Sequence, residues 1–312
     1  MALLPSHVAG AQIDDYPNRT VRLIVPFPPG GAADSMGRLI AAKLSESLGR
    51  QFVVDNRSGA SGNIGTEMVA RATADGYTIL LNTLPFIVNA FMYRQIPYDA
   101  LNDFEPISLL VAFPSLLAVH PSLPARSVRE LLDLARSGRQ TLNYGTAGPG
   151  TNPHIAGELF NFLGKVNLTA VHYKGGGPTL LATVSGEIGI AFFGLAETAA
   201  FVNSGRLRAL GVTGTKRSAA MPNVPTIAES GLPEYQFDAW QVLVAPKGTP
   251  QAIIAVLNEN VVKALRGADL TQRFREMGWD ALASSPAECL AFLQSERVKW
   301  GRVVKERGMR VD

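Results

Sequence analysis

Short apolar runs alternate with helical periodicity in the first part of the chain. Apolar runs at Val21–Phe27, Phe52–Asp55 and Tyr77–Asn82 predict three buried strands. The intervening segments, Ala33–Gly49 and Gly62–Gly76, predict helices, the second less clearly because of its glycines. This β-α-β-α-β order predicts an α/β fold with a parallel sheet and right-handed crossovers.

The same order returns in the second part of the chain. Strands are predicted at Leu142–Thr146, Leu168–Tyr173, Ile188–Gly194 and Leu207–Gly214, with helices between them. The two parts share little sequence identity, so they are predicted to be two domains of one architecture rather than a sequence repeat.

Two long extended segments connect the predicted domains. Phe104–Pro124 is able to cross from the first domain to the second, and Tyr235–Pro250 is able to cross back. We therefore predict one domain from residues 16–110 plus 236–312 and another from residues 111–235. Two crossing segments form a hinge between the domains, whereas a single linker would only join two independent domains in series.

Local signals fix several predicted helix starts. Ser127 with Glu130, and Ser285 with Glu288, have the spacing of capping boxes. Pro250 is expected at the first position of its helix, where its missing N–H costs nothing. The C-terminal part is therefore predicted to be helical and to pack on the first domain.

Composition excludes several classes of function. The net charge of +3 is mild and the basic residues are not interleaved with aromatics, so nucleic-acid binding is not expected. No run of about 18 apolar residues occurs, so no transmembrane helix is predicted. The single cysteine, Cys289, cannot form an intramolecular disulfide and is expected to be a buried, small hydrophobic residue.

Sequence signatures of catalysis and of cofactors are missing. The chain has no GxSxG and no GxGxxG motif, and Thr151 stands where a P-loop needs lysine. Its four histidines lack metal-ligand spacing. We expect no catalytic residues, no metal and no cofactor, although acid–base pairs can assemble in space without a local motif.

Three glycine-rich loops run from a predicted strand end to a predicted helix start. They are Val25–Asp34, Gly145–His154 and His172–Thr179. Ligands of open α/β sheets bind at such strand ends, and a helix N-terminus offers free N–H groups to an anion. Each loop is also compatible with an ordinary turn, with His154 capping or packing and Lys174 at the surface. If the domains face each other, closure of the domains would let the loops bind both ends of a small anion.

The chain also resembles a known family. The resemblance spans about residues 16–308 and is carried by the segments YPNRTVRLIVPFPPGGAADSMGRLIAAKLSESLG, YGTAGPGTNPHIAGELF, VHYKGGGPTLLATVSGEI and WQVLVAPKGTP, in that order. They resemble the substrate-binding proteins of tripartite tricarboxylate transporters, the TctC or Bug family. The resemblance implies a type II periplasmic-binding-protein fold with the ligand cleft between two domains. It also implies capture of a small carboxylate in the periplasm, delivery to a membrane permease, and no catalysis.

The resemblance also implies which residues hold the ligand's carboxylates. The first-loop residues are Phe27, Pro28, Gly30, Gly31, Ala33 and Asp34, and the second-loop residues are Thr146, Ala147, Gly148, Thr151 and His154. The chain departs from the family pattern after the third strand, where Thr83 is followed by Leu84, Pro85 and Phe86. We include Thr83 and Phe86 in the expected site, and infer a more apolar pocket for a longer-chain or aromatic carboxylate, most simply a dicarboxylate.

Two other functions stay open at this stage. One is a small α/β enzyme that holds a phosphorylated substrate with its glycine-rich loops. The other is a carboxylate sensor that presents its closed form to a receptor kinase. Residues 1–15 are expected to be a signal-peptide remnant or a disordered terminus, since Ala9–Ala11 has a small-x-small pattern. A monomer is expected, because one-to-one capture needs no interface.

Overall fold

A computed structural model describes residues 15–311, apart from the side chain of Arg307. The strands are β1 (Val21–Val25), β2 (Phe52–Asn56), β3 (Thr78–Asn82), β4 (Phe104–Val119), β5 (Asn143–Thr146), β6 (Thr169–His172), β7 (Ile190–Gly194), β8 (Arg208–Val212), β9 (Asp238–Pro246) and β10 (Asp280–Ala281). The helices are α1 (Ala32–Leu48), α2 (Asn63–Ala70), α3 (Pro85–Met92), α4 (Val128–Arg136), α5 (Asn152–Gly164), α6 (Gly176–Ser185), α7 (Leu195–Asn203), α8 (Gln251–Leu265), α9 (Ala268–Met277) and α10 (Pro286–Arg307). The predicted terminal segment lies almost wholly outside the described residues.

The strands form two α/β units, each with a parallel core, as the sequence predicted. In the first unit β2, β1 and β3 are parallel, and β9 runs antiparallel beside β3. In the second unit β6, β5 and β7 are parallel. Antiparallel β4 completes both units, pairing with β9 in one and with β7 and β8 in the other.

Both predicted crossings are strands. β4 is a single strand of 16 residues, which pairs with β9 up to Pro114 and with β7 from Ser115 onward. β9 returns the chain to the first unit, where α8, α9 and α10 follow. The change of partner at Pro114/Ser115 lies inside the strand that contains the predicted domain boundary at residue 110, and the boundaries themselves stay a prediction.

Most predicted helix ends agree with the structure. Gly49 adopts a left-handed φ of 66° just after α1, and its N–H bonds to the Ser45 carbonyl, which confirms the predicted end. The capping box at Ser285 is complete. At Ser127 it is only half formed, because the Glu130 carboxylate accepts the N–H of Arg126 instead.

One predicted helix start was wrong by a residue, and one helix was not predicted. α8 begins at Gln251, so Pro250 occupies the N-cap position rather than the first helical position. The segment after β3 contains a helix, α3, that the sequence did not predict, because apolar residues on nearly all its sides hide any periodicity. None of the helices described is long and apolar enough to cross a membrane.

The long helix α10 is fixed to the crossing strands by a buried carboxylate. Glu296 is 7% exposed, and its Oε2 accepts the indole N–H groups of Trp240 at 2.8 Å and of Trp300 at 2.7 Å. Cys289, in the same helix, is fully buried as predicted, and burial raises the pKa of its thiol to about 12. The C-terminal helix thus packs on the crossing strands through specific polar contacts as well as apolar ones.

Removing the Glu296 carboxylate should destabilise the fold. Glu296→Ala leaves two buried indole N–H groups unpaired, so we expect the free energy of unfolding to fall by roughly 2–4 kcal/mol. Urea unfolding followed by tryptophan fluorescence measures this change. Glu306→Ala, which removes an exposed pair with Arg302 in the same helix, should change it by less than about 0.5 kcal/mol. Equal midpoints for the two variants would contradict the assignment.

Candidate functional site

A cavity of about 210 Å³ lies between the two α/β units, beside the crossing strands. The loop that follows β1 lines it from the first unit, and the loops that follow β5 and β6 line it from the second. Phe113 and Ser115 of β4 and Ala239 and Gln241 of β9 form its floor. The loops at the carboxyl ends of strands from both units therefore meet at one cleft.

The first loop turns the N-terminus of α1 towards the cleft. Gly31 is the N-cap residue of α1 and provides no side-chain cap, while Gly31, Ala32 and Ala33 line the cavity. Gly30 adopts a φ of 92°, a conformation that favours glycine. A Cβ atom on Gly30 would meet nothing within 4 Å, so backbone conformation rather than space requires glycine there. The first turn of α1 thus presents backbone donors to a ligand.

Asp34 holds this loop in place. Its carboxylate accepts the Gly30 N–H at 3.0 Å, the Arg38 Nε at 3.0 Å and the Asn56 amide at 3.1 Å. The same Asn56 amide donates to the Phe27 carbonyl at 3.0 Å. Burial opposes ionisation of Asp34, but the hydrogen bonds from Arg38, Gly30 and Asn56 outweigh it and lower the pKa of the carboxyl. Asp34 lines the cleft, and its oxygens are engaged in positioning the loop.

Hydroxyl groups organise the second loop from within. The Thr151 hydroxyl donates to the Gly148 carbonyl at 2.6 Å. The Thr146 hydroxyl lies 2.6 Å from His172 Nδ1, and Thr146 is fully buried. Thr151 lines the cavity, whereas Thr146 and Gly148 do not. The Thr146 hydroxyl also accepts the Gly148 N–H at 3.2 Å, so it supports the loop from within, and its contact with the ligand stays a prediction.

His154 also acts on the loop. It is 8% exposed, and its Nδ1 accepts the Gly150 N–H at 3.0 Å. Burial, together with the nearby His172 ring, lowers the pKa of His154 to about 4, so the ring is neutral at physiological pH. His154 is not part of the cavity wall and shapes the loop through its bond to Gly150, and its contact with the ligand stays a prediction. Within residues 15–311, no group of three or more His, Cys, Asp or Glu side chains is arranged to hold a metal.

The third loop joins the site more fully than the sequence analysis expected. Lys174 and the glycines of the range 175–177 line the cavity, and α6 begins at Gly176. Gly175 adopts a φ of 108°, and a Cβ atom there would lie 3.4 Å from the Pro28 side chain of the first loop. The two units therefore touch at this point. Lys174, taken as a surface residue, is indeed exposed, but it lies at the rim of the cleft.

Glu197 is a cleft residue that sequence reasoning missed. It belongs to α7 of the second unit and lines the cavity beside Gly194. Burial raises the pKa of its carboxyl to about 7, although the N–H groups of Ala32 and Gly194 favour the ionised form. Because Ala32 lies in the first unit, this carboxyl links the two sides of the cleft. No local sequence motif marks Glu197, because it is one of many dispersed carboxylates in the chain.

Strands supply part of the apolar lining of the cleft. Phe113 of β4 and Phe193 of β7 line the cavity, whereas the ring of neighbouring Phe192 packs against Tyr144 and Phe160. Phe86 does not line the cavity, and its contact with the ligand stays a prediction. It is fully buried in the core, with its ring centroid 6.1 Å from that of Tyr98 and 5.1 Å from that of Phe104.

The predicted site residues thus divide into two groups. Those that line the cleft are Phe27, Pro28, Gly30, Gly31, Ala33, Asp34, Thr83, Ala147 and Thr151. Those that lie behind it are Phe86, Thr146, Gly148 and His154. In the second group, Thr146, Gly148 and His154 bond within the second loop, whereas Phe86 packs in the core against Tyr98 and Phe104.

Comparison with known proteins gives the family of the chain. The family model described as "Tripartite tricarboxylate transporter family receptor" matches residues 36–309. BugT from Bordetella pertussis is 34% identical over 97% of this chain and 94% of its own length. Two solved structures are similar: R. palustris Rpa4515 with adipate (39% identity, TM-score 0.90, 94% of this chain and 99% of that one) and MatC (Rpa3494) from Rhodopseudomonas palustris with bound malate (32%, 0.86, 93% and 100%). The chain belongs to the tripartite tricarboxylate transporter receptor family, also called TctC or Bug.

Proposed function

We propose that this protein captures a small dicarboxylate by closure of its two units and delivers it to the membrane permease of a tripartite tricarboxylate transporter. One observation carries the proposal: the helices α1, α5 and α6 all begin at the same cleft, one in the first unit and two in the second. A cleft with backbone donors on both sides suits a ligand with an anionic group at each end.

The electrostatics of the cleft support recognition through the backbone. Each helix N-terminus carries roughly half a positive charge and several free N–H groups. Among the residues described, Lys174 is the one cationic side chain of the cavity wall, and it is exposed. Closure removes water from such a site and strengthens each hydrogen bond, because the local dielectric falls. The donors of the protein therefore hold an anion without a buried ion pair.

The relatives support a carboxylate as that anion, because adipate and malate are the ligands named with two similar structures. Phe113 and Phe193 line the cavity, and an apolar wall of this kind favours a ligand with a methylene chain or an aromatic ring between its carboxylates. The sequence had suggested such a pocket from residues 84–86, but of these only Pro85 lines the cavity. The proposal of a longer-chain dicarboxylate therefore rests on Phe113 and Phe193.

Family membership supports the proposed partner and the proposed location of the protein in the cell. A receptor of this family works with a membrane permease, and a similar solved structure, 30% identical, is named as the periplasmic binding protein BugD. We accordingly place this protein in the periplasm, as a monomer that binds and releases its ligand unchanged. A phosphorylated substrate and a sensing role remain the alternatives to be tested, without a structural feature that favours either.

Dicarboxylates should stabilise the protein against heat. We expect adipate to raise the melting temperature more than succinate does, because the phenylalanine wall contacts the longer chain. At 100 times its Kd a one-site ligand stabilises by roughly 2.7 kcal/mol, which differential scanning fluorimetry resolves. ATP and inorganic phosphate serve as controls and should give no shift. A response to nucleotides without any response to carboxylates would reject the proposed function.

Loosening the first loop should weaken binding without abolishing the fold. Asp34→Ala frees the Gly30 N–H and the Asn56 amide, so we expect the Kd for adipate to rise roughly tenfold, or about 1.4 kcal/mol, by isothermal titration calorimetry. Asp269→Ala is the matched control, since Asp269 lies in the first turn of α9 and pairs with Lys43 away from the cleft. An unchanged Kd for Asp34→Ala would show that the loop keeps its shape without this carboxylate.

A further inference from the structure

The cleft carries a carboxyl group in its own wall. Glu197 lies in the first turn of α7, directly after strand β7 of the second unit, and lines the cavity. It also lines a smaller hollow beside the cleft, together with Gly30 and Ala32 of the first unit and with Met277 and Trp279 at and just after the end of α9. Glu197 keeps part of its surface exposed, at the boundary between the two units.

The carboxyl group of Glu197 meets backbone donors of both units. It accepts from the N–H of Ala32, in the first turn of α1, and from the N–H of Gly194, the N-cap residue of its own helix. The side chain folds back over Gly194, where a Cβ atom would lie 3.7 Å from Glu197 Cδ. The first turn of α1 is also where a ligand carboxylate is proposed to bind. Glu197 and the ligand therefore approach the same backbone donors.

The charged side chains of the cleft wall do not neutralise Glu197. Asp34 of α1 is itself acidic, and its carboxylate already pairs with Arg38. Lys174, before α6, is exposed at the rim. Strands β4, β7 and β9 contribute only uncharged residues to the cavity wall among those described. Burial and the two backbone N–H groups therefore set the ionisation of Glu197.

Helix α9, which packs against α7, also leaves Glu197 without a cation. The residues that α9 and its C-terminal end contribute to the hollow beside Glu197 are uncharged. The charged residues nearest to that end, Arg273, Arg275 and Glu276, are all exposed. Arg275 and Glu276 bond to the side chain of Gln272 on the same helix. Glu197 thus faces the cleft as a carboxyl group held only by backbone donors.

A ligand carboxylate at the first turn of α1 would lie beside the Glu197 carboxyl group. Two carboxylates that share donors in a site from which closure removes water cannot both stay ionised, so one proton binds to the pair. Burial raises the pKa of Glu197 to about 7, whereas the carboxyl groups of a free dicarboxylate are ionised at that pH. Glu197 is therefore the member of the pair that holds the proton. Protonation converts it from a group that repels the ligand into a hydrogen-bond donor.

From this geometry we infer that the protein takes up one proton from solvent when it binds its ligand, and that Glu197 holds this proton and donates it in a hydrogen bond to the ligand carboxylate at the α1 N-terminus. The inference rests on the proposed function and makes binding in the same cleft dependent on pH. Protonation stabilises the complex more than the ligand-free protein. Binding is therefore tightest below the pKa of Glu197 in the free protein, and it weakens as the pH rises above about 7.

The other acidic and histidine side chains at the cleft do not change charge in the relevant pH range. Burial lowers the pKa of His154 to about 4 and also lowers the pKa of His172, so both rings stay neutral above about pH 7. Burial opposes ionisation of Asp34, but its hydrogen bonds outweigh burial and lower its pKa. Proton uptake between about pH 7 and pH 9 therefore reports on Glu197.

Isothermal titration calorimetry of the unaltered protein counts the protons. Adipate, or succinate where it binds more tightly, is titrated at about pH 8 in buffers of different ionisation enthalpy, such as phosphate and Tris. The slope of the observed enthalpy against the buffer enthalpy gives the proton uptake, which we expect to be roughly half to one proton per ligand. Between about pH 7 and pH 9 the Kd should rise about tenfold, because ionised Glu197 repels the ligand.

Glu197→Gln assigns the proton to this residue. An amide keeps the size and the hydrogen-bond donor of a protonated carboxyl group, but it cannot take up a proton. We expect the proton uptake of this variant to fall to about zero, and its Kd to stay constant with pH and close to that of the unaltered protein at pH 7. Glu259→Gln, at an exposed position of α8, is the matched control and should retain the uptake. A melting curve of each variant verifies that it is folded.

The outcomes separate the two proposals. Binding without proton uptake by the unaltered protein would overturn the role of Glu197 and leave carboxylate capture intact. Uptake that persists in Glu197→Gln would also overturn it, because the proton would then belong to the ligand or to another residue. A folded Glu197→Gln variant that no longer binds the ligand would contradict it as well. If neither adipate nor succinate binds to the unaltered protein, the proposed function fails instead.

Discussion

The site depends on the pairing of two antiparallel crossing strands. β4 hydrogen-bonds to β9 along its first part and to β7 along its last five residues, so one strand belongs to both α/β units. At about 3.4 Å per residue such a strand spans both units as one element. This constraint fixes where the units meet and therefore where the loops after β1, β5 and β6 face one another. A change in the register of β4 with β9 would move the floor of the cleft relative to its walls.

The cleft combines backbone donors with few charges of its own. Asp34 is neutralised by Arg38 and by N–H groups, and His154 is kept neutral by burial. Both residues act on the loops that surround the cavity. Glu197, whose carboxyl has a pKa raised to about 7, bridges towards Ala32 of the opposite unit. The proposed recognition of an anion therefore rests on backbone N–H groups, with Asp34 and His154 holding the loops that carry them in shape.

Much of the architecture was predictable because its signals are local. Apolar runs located the parallel strands, Gly49 and Ser285 marked helix ends, and glycine-rich segments marked the loops at strand ends. Helix α3 was not predicted, because an apolar helix lacks the periodicity by which an amphipathic helix is recognised. The family resemblance named loops that line the cleft, but within each loop it did not distinguish residues of the cavity wall from residues that support the loop.

The sequence by itself determined the parallel strands and most helices of the two units, the two crossings and the glycine-rich loops at strand ends, because composition and spacing act over a few residues. Only the tertiary structure decided that Phe86 packs in the core, that Glu197 reaches the cleft, and that the Gln241 amide is buried without a partner. The physical reason is that each helix or strand has more than one face, and long-range packing decides which face meets the core and which meets the cleft. Which face becomes the floor of a cleft depends on pairing between strands far apart in the chain, and no local pattern records that pairing.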